Sequence, residues 1–339
     1  MEHLLGFSKK NLGILFTLVI LVSISFSSFS QGFSPSYSQR HVPAGWKNMR
    51  HEFSLNLGAS NFLGDLGGRD MVGSPFLWDL EFSKTNFAAN INYRYYISPN
   101  FTYRLGFFYG KVAGDDKLTQ EPFRNNRNLN FKSNIFESSL IFEYVFGVNK
   151  PGHQYGLRSN KGKKLGTKNY LREFYLFAGI GGFYFNPKGL APSGNWVDLK
   201  PLRTEGQGLP DGPRPYSNFS VAIPVGFGYK HGMGKNWGLN IELSYRFTFT
   251  DYIDDVSGVY YDAGALADNF GPLSAQMANP TNNSIPTWAD GAYIYNPTGT
   301  GMQRGNPDDK DGYMFATLGI YYKMQKTPKR KKSKIKARF

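Results

Sequence analysis

The chain has 339 residues, with 22 Tyr, 29 Phe, 5 Trp, 39 Gly, no Cys and a formal net charge of +14. The lack of Cys excludes a disulfide scaffold, a thiolate metal site, a Cys nucleophile and a lipidated Cys anchor. An aromatic fraction of 17% excludes disorder, and five His leave little for a His-based metal site or triad.

The first element is an export signal. Lys9 and Lys10 form a basic n-region, Leu12 to about Phe26 an apolar core, and Ser28-Phe29-Ser30 a small-x-small site before Gln31. Residues 1–30 are therefore expected to be a cleaved Sec signal peptide, followed by a periplasmic N-terminal extension over 31–50. Beyond Gln31 no apolar run is long enough for a transmembrane helix.

The remainder reads as strands. In His51–Leu63, Phe53, Leu55 and Leu57 alternate with Ser54, Asn56 and Gly58, a period of two. The same alternation recurs in Asn86–Ile97, Phe101–Val112, Phe131–Phe146, Phe219–Lys230, Trp237–Thr250 and Tyr313–Lys323. Glu173–Asn186 is also strand-like, but Gly179, Gly181 and Gly182 leave its facing ambiguous. These strands exceed the roughly 5–6 residues usual in soluble sandwiches and suit the roughly 9–11 residues of a membrane-crossing strand. Aromatics near the strand ends (Tyr95, Tyr96, Phe101, Tyr144, Phe146, Trp237, Tyr321 and Tyr322) suit girdles at the two membrane interfaces. Backbone groups in lipid must all pair, so the sheet has to close. The predicted fold is all-β: an eight-stranded antiparallel transmembrane barrel of the outer membrane, spanning 51–324, with long extracellular loops. Arg94, Arg104, Glu137, Glu143, Glu242 and Arg246 fall on the faces opposite the apolar ones. They are expected to pair across a narrow, filled lumen without a pore.

Connection lengths set the orientation. Gly64–Thr85, Ala113–Asn130, Pro187–Asn218 and Asp251–Gly312 are long and are assigned outside. Ser98–Asn100 and His231–Asn236 are short and are assigned to the periplasm, with both termini. The long connection Gly147–Arg172 is then a periplasmic exception.

Charge separates by side. Gly147–Arg172 carries Lys150, Arg158, Lys161, Lys163, Lys164, Lys168 and Arg172 and no acid. The predicted periplasmic tail, 325–339, carries Lys326, Lys329, Arg330, Lys331, Lys332, Lys334, Lys336 and Arg338, again with no acid. Asp251–Gly312 instead has nine Asp against Arg304 and Lys310. The periplasmic cations point to an acidic periplasmic protein or to the anionic inner face of the envelope, with Lys329 to Lys332 and the seven connection cations as docking candidates; nucleic acid is not expected. His41, His51, His153 and His231 all map to the periplasmic end, so no outer loop offers a His general base. The acid pairs Asp115-Asp116, Asp254-Asp255 and Asp308-Asp309 lack EF-hand spacing and are expected to be solvated or paired with nearby Arg. No catalytic residue, cofactor, metal or small-molecule substrate is expected. An alternative is a surface binding protein or small channel acting through the acidic 251–312 loop.

Six segments resemble one family: Ser60–Gly68 (SNFLGDLGG), Tyr109–Asp116 (YGKVAGDD), Arg127–Ser139 (RNLNFKSNIFESS), Phe177–Lys188 (FAGIGGFYFNPK), Phe249–Tyr260 (FTDYIDDVSGVY) and Gln303–Asp311 (QRGNPDDKD). They are similar, in order, to segments of the PorG-like outer-membrane proteins of Bacteroidetes type IX secretion systems. The resemblance implies an eight-stranded barrel embedded in outer-membrane lipids and associated with a periplasmic ring of PorK-like and PorN-like proteins. It implies a part in protein export, and in some bacteria in gliding motility. Direct ring contact through the basic connection and tail is an expectation from charge.

Overall fold

Alternation with a period of two gives every strand one polar and one apolar face, and such strands can leave no unpaired edge in lipid. The computed structural model describes residues 49–66, 84–146, 172–234, 236–290 and 293–325. By backbone contacts the chain divides after Lys47, and all described residues belong to the second unit, Asn48–Phe339. The strands are β1 (His51–Leu63), β2 (Asn86–Tyr96), β3 (Phe101–Asp115), β4 (Asn130–Phe146), β5 (Arg172–Leu190), β6 (Trp196–Asp198), β7 (Phe219–Gly232), β8 (Trp237–Thr248), β9 (Trp288–Asp290), β10 (Tyr293–Tyr295) and β11 (Gly312–Met324). Three short helices lie between them: α1 (Pro122–Arg127), α2 (Ala263–Phe270) and α3 (Pro272–Ala278).

Eight strands form a closed antiparallel barrel in the order β4-β3-β2-β1-β11-β8-β7-β5, closed by β4 against β5. His51 pairs with Met324 and Leu63 with Gly312, which joins the first strand to the last. The short β6 only extends the rim beside β5, and β9 pairs with β10. β3, β4 and β5 run further than the sequence pattern indicated, to Asp115, from Asn130 and to Leu190, and so project beyond the other strands at one end. The long connections with described residues gather at that end, here the capped end; tight turns and the outer termini of β1 and β11 lie at the other, the turn end.

The barrel is inverted relative to a soluble one. Phe53, Leu55, Leu57, Ile91, Phe107, Leu140, Leu176, Ile180, Ile241 and Leu318 point outward and are each between 47% and 59% exposed, although they are the apolar members of the alternation. Asn56, Asn92, Arg94, Arg104, Glu143 and Glu242 alternate with them and are buried. The facing of β5 also resolves: Phe174, Leu176 and Ile180 look out, whereas Tyr175, Phe177 and Phe183 look in. Glycine makes room for the large inward rings. A Cβ at Gly228 would overlap the Tyr175 ring.

Two aromatics assigned to the girdle belong to the interior. Tyr96 and Tyr321 are 6% and 3% exposed because they share the inward parity of Arg94 and Lys323. His231 is not in a turn; it lies within β7, whose last residue is Gly232. No helix among the described residues is long and apolar enough to cross a membrane.

Candidate functional site

The interior at the turn end is a matched ionic network. Arg94, from β2, is its centre. Its Nη1 donates to Glu52 Oε1 at 3.1 Å, its Nε to Glu143 Oε1 at 3.0 Å and its Nη2 to Glu242 Oε2 at 3.5 Å. Arg104, from β3, donates to Glu242 and holds its Nε 3.0 Å from Glu143 Oε1. Lys230 Nζ lies 2.7 Å from Glu52 Oε1, and Lys323 Nζ donates to Glu173 Oε1 at 2.8 Å. Tyr96 donates to Glu52 at 2.6 Å, and the Tyr175 hydroxyl lies within 2.9 Å of both Asn240 Oδ1 and Glu242 Oε2. Four cations thus face four carboxylates, all buried. Nearer the cap, Arg246 Nε donates to Glu137 Oε2 at 3.0 Å, and its guanidinium lies 3.9 Å above the Phe315 ring.

This matching is what burial requires. A charge removed from water costs several kcal/mol unless it is paired and hydrogen-bonded. Of the six lumen residues named from the sequence, Arg94, Arg104, Glu143 and Glu242 enter this network, and Arg246 pairs with Glu137 nearer the cap. Sequence reading missed Glu52, Glu173, Lys230 and Lys323, which lie near strand ends. Inward parity marks three of them directly: Glu52 precedes Ser54 and Asn56, Lys230 follows Gly228, and Lys323 follows Tyr321. For Glu173 the ambiguous facing of β5 hid the signal.

Above the network the lumen becomes apolar and merges with a folded cap. Phe62, Leu66, Val112, Phe131, Ile135, Phe183, Phe185, Ile253, Val256, Met277, Tyr313 and Phe315 belong to one cluster. It joins barrel wall to loops from every long connection at this end. Two arginines tie the loops together. Arg127 donates to Asp116 Oδ2 at 2.7 Å and to the Asp65 carbonyl at 2.8 Å. Arg304 donates to Glu205 Oε1 at 2.9 Å and to the Asp255 carbonyl at 2.7 Å.

The acidic loop is not a solvated acidic surface. Asp251, Asp254, Asp255 and Asp311 are buried, whereas Asp262, Asp268, Asp308 and Asp309 are exposed. Asp254 accepts from the backbone N–H of Leu66 at 3.2 Å and of Val256 at 2.9 Å; Asp311 accepts from that of Ile253 at 2.8 Å. Asp255 accepts from Thr204 and from Tyr216, each at 2.6 Å. Burial pushes the Asp251 carboxyl up to about 7, with Asp65 and Glu205 adding to the rise against the Ser257 hydrogen bond and Lys310. Burial lifts Asp255 to about 6, against the pull of Arg304. Asp254 and Asp311 are held well above the ordinary carboxylate range by burial and by neighbouring carboxyls. Asp116 takes the other expected form, an Arg partner, and is buried against Arg127. The reason is shared: the loops pack as a small core, so their acids lose water. Among the described residues, no group of three or more His, Cys, Asp or Glu is arranged to hold a metal ion.

The docking candidates fall otherwise. Arg172 opens β5 at the turn end and is exposed. Lys150, Arg158, Lys161, Lys163, Lys164, Lys168, Lys329, Arg330, Lys331 and Lys332 lie outside the described residues.

A lipid-facing apolar belt around a buried ionic interior defines a transmembrane β-barrel of the outer-membrane type. Residues 44–158 match a family model described as a domain of unknown function, DUF6089. No curated protein sequence matches. Solved structures with a similar strand arrangement include Ail, the attachment invasion locus protein of Yersinia pestis, in complex with the heparin analogue sucrose octasulfate. That likeness has 10% identity, covers 81% of this chain and 99% of that one, and has a TM-score of 0.33. Neisserial surface protein A is similar at 10% identity over 80% of this chain and 96% of that one, TM-score 0.34. A major outer membrane protein from Thermus thermophilus is similar at 12% identity over 80% and 98%, TM-score 0.32.

Proposed function

We propose that this protein is a non-enzymatic outer-membrane component of a type IX protein secretion machinery, anchoring a periplasmic ring assembly through its periplasmic side. The observation that carries this reading is the filled lumen. Arg94, Arg104 and Lys230 are each no more than 1% exposed across the barrel interior, and the cap core lies over them, so the barrel itself offers no conduit for a solute or a chain. Its use is then as a rigid membrane anchor that presents other surfaces. Those surfaces are two basic segments with no acid, 147–172 and 325–339, both leaving strands at the turn end. With the capped end outside, the strand ends Phe146, Arg172 and Met324 that border them face the periplasm, where an acidic partner resembling PorK-like or PorN-like ring proteins would meet the two basic segments. The segments that resemble the PorG-like proteins supply Asp65, Asp116, Arg127, Asp254, Asp255 and Arg304, the residues that knit the cap. The resemblance therefore reaches the cap's framework as well as the strands.

The test is co-purification of ring components from envelopes carrying full-length protein or variants lacking 159–167 or 326–339. Loss of the ring proteins with a folded, heat-modifiable barrel supports the anchor. Unchanged recovery in a variant lacking both segments removes it. In planar bilayers the reconstituted protein is expected to show no steady open conductance.

A further inference from the structure

The outward faces of β3, β4 and β5 carry a pattern that the barrel itself does not require. Register places Tyr109, Phe136 and Tyr184 side by side in one outward row. One outward step toward the capped end, Lys111, Asn134 and Asn186 form the next row; a further step aligns Ala113, Lys132 and Lys188. Each step of two residues rises about 6.6–6.8 Å. Lys132 and Lys188 are thus direct cross-strand partners, and Lys132 lies within Coulombic range of both Lys111 and Lys188. Like charges directly opposite in a sheet are destabilising.

Internal partners answer only part of this. Lys188 Nζ lies 3.0 Å from Asp198 Oδ1, a pair that is 35% and 47% exposed, and Asn186 also donates to Asp198. Lys132 Nζ sits 3.8 Å above the Trp196 ring. The next acid along the rim, Asp115, is paired with Lys84. Two of the three ammonium groups therefore have no carboxylate partner among the described residues. The clustering is local. At the same end, the outward positions of β7 and β8 hold Phe219 and Phe247 and no cation.

Directly below the aromatic row the wall is hollow. Phe107, Ser138, Gly182 and Val221 are aligned across four strands, and a Cβ at Gly182 would meet nothing within 4 Å. Large side chains at Tyr109, Phe136, Tyr184 and Phe219 surround this low spot and leave an apolar groove of about 640 Å³. Aromatic rows mark the depth of the lipid headgroups, so the groove lies at acyl-chain depth and the lysines at phosphate depth. Their apolar stems can lie along the wall while the ammonium groups reach up.

We propose that this face seats a phosphorylated glycolipid of the outer leaflet, its phosphates meeting Lys111, Lys132 and Lys188 and one acyl chain lying over Ser138 and Gly182. The long connections assign the capped end to the outside, and so this face to the outer leaflet. Cations spread over two rows suit a headgroup with more than one phosphate. A zwitterionic phospholipid brings one phosphate and cancels it with its own amine.

The experiment uses the full chain in nanodiscs of neutral phosphatidylcholine, titrated with diphosphoryl lipid A, its dephosphorylated form, or phosphatidylglycerol, with binding read by native mass spectrometry. Diphosphoryl lipid A is expected to bind most tightly. K111Q/K132Q/K188Q is expected to weaken it by at least about ten-fold, from the attraction each surface lysine contributes. G182L, which fills the groove, is expected to weaken all acylated ligands alike. K200Q/R203Q/R214Q, which removes three cap cations off the strand faces, is expected to leave binding unchanged. Heat-modifiable mobility establishes that each variant is folded. Equal binding by wild type and the triple lysine variant overturns the proposal. So does phosphatidylglycerol binding as tightly as lipid A, or an equal loss from the cap-cation variant.

Discussion

The two ends of the barrel interior deal with buried acid in opposite ways. At the turn end, Glu52, Glu143, Glu173 and Glu242 are matched one for one by Arg94, Arg104, Lys230 and Lys323. In the cap, Asp65, Asp251, Asp254 and Asp311 crowd together, and the nearest cation to Asp251, Lys310, stays 3.9 Å away. The turn-end carboxylates are compensated by charge. These four cap carboxyls are compensated largely by hydrogen bonds and by protons, so the cap is expected to depend on pH. A closed wall supplies cations from every side, whereas loops fold inward with whatever acids they carry.

Removing the centre of the matched region breaks the comparison most sharply. Arg94→Met leaves Glu52, Glu143 and Glu242 each short of a partner and is expected to cost about 3–5 kcal/mol. The midpoint of urea unfolding in detergent micelles measures it; an unchanged midpoint would mean that the network contributes nothing net.

The pH response of the cap comes next. The folded carboxyls of Asp251 and Asp255 sit at about 7 and about 6, above their ordinary value, so between those limits the folded cap binds more protons than the opened one. The resulting stability is fully present below about pH 4 and is lost as pH rises through about 6 to 7. Amide exchange over 251–258 and 303–311, corrected for its intrinsic pH dependence, should speed up from pH 5 to pH 8. The network strands should not follow. A flat profile in the cap would show that its carboxyls are not buried as acids.

Smaller effects sharpen the same contrast. Ile253→Val trims a fully buried cap residue by one methylene and is expected to cost about 1 kcal/mol, felt in cap exchange before barrel unfolding. Lys188→Ala removes the exposed pair with Asp198 and is expected to change the unfolding midpoint by less than about 1 kcal/mol. A large loss there would mean that exposed pairs, and not the buried network, hold the wall.

Much of the barrel is legible in the chain because a membrane strand obeys one strong local rule. Apolar and polar residues must alternate, as in Trp237 to Thr248, where Ile241 and Leu243 face outward while Asn240, Glu242, Ser244 and Arg246 face inward. That rule located Arg94, Arg104, Glu137, Glu143, Glu242 and Arg246 on inward faces. It failed where the local pattern blurs. Gly179 and Gly181 hide the facing of β5 and with it Glu173. Tyr96 and Tyr321 are amphipathic enough to read as girdle residues, but parity turns them inward. The cap was the least legible part. Asp254 and Asp255 look like solvated loop acids, and nothing local says that Leu66, 188 positions away, donates its N–H to one of them.

The sequence by itself determined the strand number, the closure and the polar interior, because each follows from a period of two and from the cost of an unpaired backbone in lipid. Only the tertiary structure decided which charges meet, that a folded cap lies over the filled lumen, and that three lysines share one outward patch. Those depend on register between strands and on contacts between loops far apart in the chain, which no local pattern encodes.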